Sequence, residues 1–215
     1  MVIACRVSMA TSPSMPSPAE ALERLIEGNR RFRDSDQGAT PRPWSHERAA
    51  GPQLPFAIVL GCSDSRTPVE ILFDQGLGEL FVVRLAGNIV APSVVGSIEF
   101  AASQFGTRLV VVMGHTQCGA IAASVQAIET GDGPTSQNIR AITDRITPHI
   151  ESLFRLPGQL DRSQLIREAM RANVQASADH LRHGSRLLED LLASQQIEVV
   201  AAEYELETGT VHFLQ

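Results

Sequence analysis

Basic charge is the first thing this sequence lacks. Lys and Arg together number 18 against 24 Asp and Glu, so the 215-residue chain carries a formal net charge of −6. Phosphate neutralisation needs a basic face, and nucleic acid is therefore not expected as a partner. Long hydrophobic runs are missing as well. The longest span about six to eight residues, far short of the ~20 that cross a bilayer, and no membrane partner is expected. The stretch MVIACRVSMATSPSMP has no Lys/Arg cluster ahead of a long apolar core, which argues against a secretory signal and for a cytoplasmic protein. Met9 and Met15 stand as alternative starts. Cysteine is scarce, with 3 in all. Cys5 sits in that leading stretch as a bystander, whereas Cys62 and Cys118 lie close to an Asp and a His. That pattern fits a reducing compartment and metal or catalytic use better than a disulfide framework. Two common active-site signatures are also absent. No G-x-G-x-x-G follows the first apolar run, which removes the dinucleotide fingerprint. No G-x-S-x-G occurs, which removes the nucleophile elbow of a serine hydrolase.

What is present is an ordinary globular composition, 43% apolar and 20% charged, on a length that suits one domain with a substantial core. Residues 1–16, rich in Ser, Pro and Met, read as a disordered tail, and residues 17–215 as a single domain. The segment SPAEALERLIEGNRRF starts a helix, with Ser17 as N-cap, Pro18 in the first turn and Glu20 closing a capping box. Its apolar stripe is Ala21, Leu22, Leu25, Ile26 and Phe32. Such a helix exceeds the needs of a small domain and is expected to serve a second subunit. Four short β-branched runs, 55–60 (PFAIVL), 80–84 (LFVVR), 108–113 (RLVVVM) and 197–202 (IEVVAA), read as strands covered on both faces. Helical patterns separate them: 93–106 with Ser93 as N-cap and Gly106 as stop, 118–131 ending at Gly131, and a long region over 136–193 broken near residues 156–158. The end, YELETGTVHFLQ, reads as a hairpin turning near Thr208 and Gly209. Alternating strands and helices predict an α/β fold with a mainly parallel four-stranded sheet and right-handed crossovers; the order taken for it is 2-1-3-4, that of an open doubly wound sheet.

The chemistry lies where strands end. The first strand runs into GCSDSR, placing Cys62, Asp64 and Arg66 on alternate positions. The third runs into GHTQCG, with His115 and Cys118 spaced H-x-x-C before a helix. In a 2-1-3-4 sheet the chain winds in opposite directions from strands 1 and 3, and their carboxyl ends flank the expected ligand crevice. The three residues therefore converge although far apart in sequence. A lone Cys after a strand is ordinarily a small buried hydrophobe; C-x-D-x-R paired with H-x-x-C is far more specific. Two thiolates and an imidazole suit zinc, with a fourth position left for water, as in catalytic sites. Asp64 has two places open to it, the fourth ligand position or a place just outside. Arg66 is the natural bidentate clamp for its carboxylate. His180 and His183, at i and i+3 on a polar helix, read as a solvated face, and His46, His149 and His212 form no constellation.

The stretches GCSDSRTP, GELFVVRLAGN and GHTQCGAI resemble the β-class carbonic anhydrases, as do EGNRRF and AEYELETG. The resemblance covers roughly residues 20–214 of a prokaryotic-type chain. It implies a lyase that interconverts carbon dioxide and bicarbonate through zinc-bound hydroxide, with one Zn2+ per chain on Cys62, His115 and Cys118. It implies an Asp64–Arg66 dyad, with Asp64 able to take the fourth zinc position in an inactive form. It also implies a fifth, antiparallel strand, which the final hairpin fits, and a homodimer or dimer of dimers. Gln53 matches the glutamine that donates to substrate oxygen in the plant-like branch. Phe81 and Phe100 match aromatic positions that line the pocket from the neighbouring subunit, and Gly119 offers backbone near the substrate. On periodicity alone the two phenylalanines are ordinary core residues, and Gln53 is a solvated loop amide. Alternatives on the same residues are a hydrolase of COS or CS2, a non-catalytic zinc-binding protein, and an enzyme using Cys62 as a nucleophile.

Overall fold

The computed structural model describes residues 15–35, 45–155 and 160–214. Within them, five strands form one sheet: β1 (Ala57–Gly61), β2 (Leu80–Arg84), β3 (Leu109–His115), β4 (Glu198–Glu205) and β5 (Thr210–Leu214). Their order is β2-β1-β3-β4-β5. The first four pair in parallel, and β4 and β5 form an antiparallel hairpin. This is the predicted topology. Strand β1 outruns its predicted end by one residue, and β3 and β4 by more, because they stay paired as far as His115 and Tyr204. That extra length carries His115 to the rim of the sheet. The expected tail and the break at residues 156–158 fall largely or wholly outside the described residues.

Eight helices surround the sheet among the described residues: α1 (Pro18–Asp34), α2 (His46–Ala50), α3 (Val69–Leu72), α4 (Pro92–Phe105), α5 (Gly119–Thr130), α6 (Gln137–Ile150), α7 (Arg162–His183) and α8 (Arg186–Ala193). Side chains alternate across a strand, and β1 and β3 bury both sets. Ile58, Leu60, Val110 and Val112 pack against α4 to α8, while Ala57, Val59, Leu109 and Val111 pack against α1 and α3. None of these helices is long and apolar enough to cross a membrane.

The capping box predicted for α1 forms: the Ser17 hydroxyl accepts from Glu20 N–H, and the Glu20 side chain accepts from Ser17 N–H. The apolar stripe of α1 divides between two surroundings. Ala21 and Leu25 are fully buried against this chain's own sheet, while Ile26 is 42% exposed. Asn29 fixes the docking by donating to the carbonyls of Leu72 and Gly209 and accepting from Val211 N–H. A Cβ on Gly28 would stand 1.9 Å from the Phe73 carbonyl oxygen, so α1 approaches more closely than a side chain permits. The start of α4 also differs from expectation. Its N-cap is Ala91, not Ser93, because Pro92 takes the first helical position, where its missing N–H costs nothing.

All 18 basic residues are arginines. Two of them, Arg167 and Arg171 on α7, each donate to the wholly buried Glu203 carboxylate at 2.8 Å, which is what permits a charge at that depth.

Candidate metal centre

Strand β1 ends at Gly61 and releases Cys62; β3 ends at His115, and Cys118 caps α5. The ligand atoms of Cys62, His115 and Cys118 all lie within 4.8 Å of one another, and all three residues are buried. The two sulfurs are 3.9 Å apart, a contact between free thiols. The His115 ring is fixed by Nδ1, which lies 2.8 Å from the Thr116 carbonyl oxygen. A carbonyl only accepts, so Nδ1 carries the proton and Nε2 presents its lone pair. That Nε2 is buried and meets no hydrogen-bond partner. An orphaned imidazole nitrogen facing two thiols is a donor set that fits a soft or borderline cation.

Proton affinities within the pair point the same way. The thiol of Cys62 is held down to about 4, first by the hydrogen bond with Cys118 and then by His115 and the N–H groups of Asp64 and Gly87, against the opposing effect of burial. Cys118 is pushed up by that shared hydrogen bond and by burial. The pair thus holds one proton and one negative charge between two sulfurs, a charge that a cation would complete. Gly87 contributes an N–H at 3.3 Å from the Cys62 sulfur. It does so with φ +68°, and a Cβ there would meet Ile146 at 2.9 Å, so only glycine presents this donor without strain.

Beside the cluster, Asp64 is turned to Arg66. Nε donates to Oδ1 at 3.0 Å and Nη2 to Oδ2 at 2.8 Å, while the Arg66 backbone N–H adds a bond to Oδ1 at 2.9 Å. Oδ2 nevertheless stays 4.0 Å from His115 Nε2. The Arg66 hydrogen bonds hold the Asp64 carboxyl well below the usual carboxylate range. The structure therefore brings Cys62, His115, Cys118, Asp64 and Arg66 to one crevice. Gly119 opens α5 at the same rim, where first-turn N–H groups lack helical partners.

Gln53, Phe81 and Phe100 are not brought to this crevice within the chain. Gln53 lies exposed before the amino end of β1, whereas Cys62 follows its carboxyl end. Phe81 sits early in β2, in register with Ile58. It joins Phe100 and Phe105 in an aromatic cluster with centroids 5.8–6.4 Å apart, in which Phe100 is 52% exposed.

Several supporting residues escaped the sequence reading. Arg84, at the end of β2, donates to the carbonyls of Cys62 and Asp64 at 2.8 and 2.5 Å and so braces the loop. The Thr67 hydroxyl lies 2.9 Å from the Asp64 carbonyl oxygen. Gln117 and Glu207 are hydrogen-bonded at 2.6 Å beside Arg66. All four fall inside the quoted motifs, which was a signal for each; that Gln117 and Glu207 meet across 90 residues is visible only in the structure.

The chain is similar to known proteins over most of its length. The family model described as "Carbonic anhydrase" matches residues 57–211. Carbonic anhydrase 2 of Mycobacterium tuberculosis is 35% identical over 195 residues, covering 90% of this chain and 91% of its own. A carbonic anhydrase of Mycolicibacterium smegmatis is 37% identical, covering 91% and 92%. Among solved structures, a Coccomyxa β-carbonic anhydrase in complex with acetazolamide superposes with a TM-score of 0.68 at 23% identity, over 94% of this chain and 87% of that one. One of two tetrameric β-carbonic anhydrases from Sordaria macrospora superposes at 0.67 and 24%, over 78% and 84%. Sheet order, thiol–imidazole cluster and relatives agree, and the chain belongs to the β-carbonic anhydrase family of lyases.

Proposed function

We propose that this protein catalyses the reversible hydration of carbon dioxide to bicarbonate and a proton, with one zinc ion held by Cys62, His115 and Cys118. The observation that carries the reading is the buried His115 Nε2, orphaned and aimed at two thiols 3.9 Å apart, next to a carboxylate restrained by arginine. Zinc held there would supply the acidity that turns water into a nucleophile near neutral pH.

The chain's own residues supply the rest. Cys62 and Cys118 neutralise a dication inside an apolar layer where an unpaired charge is costly. Asp64, ionised at neutral pH, accepts a hydrogen bond from the attacking nucleophile and aims its lone pair. Arg66 governs whether Asp64 does this or takes the fourth position itself. Gly119 offers backbone N–H to bicarbonate oxygen. Gln53, Phe81 and Phe100 act on the substrate from a second copy, because within one chain they lie away from the crevice. The exposed Phe100 then gains a partner surface, and the assembly is a homodimer or a dimer of dimers. Residues 17–215 act as one domain of a cytoplasmic enzyme.

The test is stopped-flow CO2 hydration combined with metal analysis. A rate that follows zinc content supports the reading. Sulfide release from COS or CS2 without CO2 hydration would assign a hydrolase on the same scaffold, and full zinc without either activity would assign a binding protein. Activity that survives zinc removal and is lost on alkylation of Cys62 would assign a cysteine nucleophile.

A further inference from the structure

Arg66 holds Asp64, but little packing holds Arg66. Its side chain is 47% exposed, and exposed arginines sample many rotamers at small cost. What remains near it is Gln117. The Gln117 Oε1 lies 3.5 Å from Nη1 and its carbonyl oxygen 3.4 Å from Nη2. Each contact is long, and neither alone fixes a guanidinium. Gln117 is itself fixed with more force. Its Nε2 donates to Glu207 Oε1 at 2.6 Å, a charge-assisted bond that leaves Oε1 no choice but to face Arg66. The other Glu207 oxygen accepts from the Thr116 hydroxyl at 2.9 Å, and that hydroxyl accepts from Leu206 N–H at 3.0 Å. Glu207 thus sits locked in the β4–β5 turn, which Asn29 of α1 pins through the Gly209 carbonyl.

The backbone adds a second sign. Gln117 has φ +57°, a left-handed conformation that a residue with a long side chain adopts at a cost. That twist lets His115 and Cys118 face the crevice while the Gln117 side chain points out to Arg66. Gln117 and Glu207 also line a cavity of about 710 Å³, so hydrogen bonds, and not close packing, define where the amide points.

We propose that Gln117 and Glu207 are positioning residues: the carboxylate orients the amide, and the amide keeps Arg66 turned onto Asp64 and Asp64 off the metal position. The inference rests on the functional reading above and deepens it, since it assigns control of the gate to the C-terminal hairpin. Charge transmitted through an intervening amide also strengthens each bond in the chain.

The test uses the zinc-loaded full chain and the variants Gln117→Gly, Glu207→Ala and Glu207→Gln. Glycine tolerates φ +57° without strain, so Gln117→Gly removes the amide and keeps the backbone path. Zinc per chain should stay at the wild-type level in all three. Hydrogen exchange of the Arg66 Nε–H, followed by heteronuclear NMR, should quicken by about fivefold or more once the restraint is lost. The kcat for CO2 hydration should fall about three- to tenfold with KM unchanged, because fewer molecules are open while each open site is normal. Glu207→Gln, which keeps an acceptor oxygen, should lie between wild type and Glu207→Ala. In an Arg66→Ala background, Gln117→Gly should cause no further loss. Unchanged exchange and kcat in both Gln117→Gly and Glu207→Ala would overturn the proposal. So would loss of zinc, or an undiminished effect in the Arg66→Ala background. A wild-type protein that hydrates no CO2 would defeat the functional reading alone, since the exchange measurement still decides the positioning.

Discussion

Arg66 occupies both carboxylate oxygens of Asp64, yet Oδ2 remains 4.0 Å from His115 Nε2. The carboxylate therefore stands between two partners and is committed to the one on the solvent side. Removing that partner should release it toward the ligand cluster. Arg66→Ala is expected to lower CO2 hydration while keeping zinc. Because Arg66 is half exposed and the pair is screened, the expected loss is about three- to tenfold, less than a shielded pair would give. Wild-type kcat in this variant, measured from neutral to alkaline pH, would reduce the dyad to a structural ion pair.

The ligand set predicts a proton count. Cys62 is held down and Cys118 pushed up by their shared hydrogen bond, while His115 Nδ1 faces the Thr116 carbonyl and leaves Nε2 to the metal position. Loading the metal-free protein with zinc should then release about one proton per ion, whichever sulfur holds it at the start. Weakly buffered titration with a pH indicator measures this directly. A second proton that grows with pH belongs to a metal-bound water; two protons at every pH would mean that the thiols do not share a charge, and release of none that they are not both ligands. Cys62→Ser, Cys118→Ser and His115→Ala should each bring bound zinc well below one per chain.

Activity should rise through the alkaline range. The sign follows from the carboxylate. Arg66 holds Asp64 well below its ordinary value, so Asp64 is fully ionised on both sides of neutrality and its own deprotonation contributes nothing to the rise. Its contribution is lost only in acid, as pH falls through that lowered value. Hydroxide gains on the carboxylate as pH climbs, and the competition shifts one way. A kcat profile that is flat or declines between neutral and alkaline pH would contradict this.

The aromatic cluster predicts association. Phe100→Arg places a charge on the exposed ring of the Phe81–Phe100–Phe105 group. Sedimentation should show a smaller species, and hydration activity should fall with it even though no metal ligand has changed. A fully active monomer would remove the second copy from the account.

The docking of α1 predicts stability. Asn29→Ala leaves a buried carbonyl, a half-buried carbonyl and a buried N–H without their partner and should cost ~2–4 kcal/mol. Gly28→Ala, which drives a methyl into the Phe73 carbonyl, should cost ~3 kcal/mol. Urea unfolding that changes by less than about half of either figure would mean that α1 is loosely attached.

Much of this site was legible in the sequence because its signals are local. Cys62, Asp64 and Arg66 share one turn, and His115 and Cys118 another. Strands buried on both faces are continuous apolar runs, so β1 to β4 were readable and their parallel pairing followed from their alternation with helices. What stayed hidden is tertiary. The Gln117–Glu207 bond spans 90 residues, and Arg84 reaches Cys62 across 22. No periodicity encodes such meetings. The surroundings of α1 were illegible for a related reason. An amphipathic stripe says that a face is covered but not by what, and here this chain's own sheet covers Ala21 and Leu25 while Ile26 stays exposed. Ser93 was misplaced as a cap because the proline before it sets the helix start by backbone geometry, which outranks a favourable side chain.

The most direct test of the account is stopped-flow CO2 hydration by the wild-type protein before and after zinc removal, from neutral to alkaline pH, with zinc measured in the same samples. The account predicts catalysis proportional to zinc, abolished in the metal-free protein, restored on adding zinc back, and increasing with pH. A protein carrying one zinc per chain that leaves the uncatalysed rate unchanged, or catalysis that persists without metal, would contradict it.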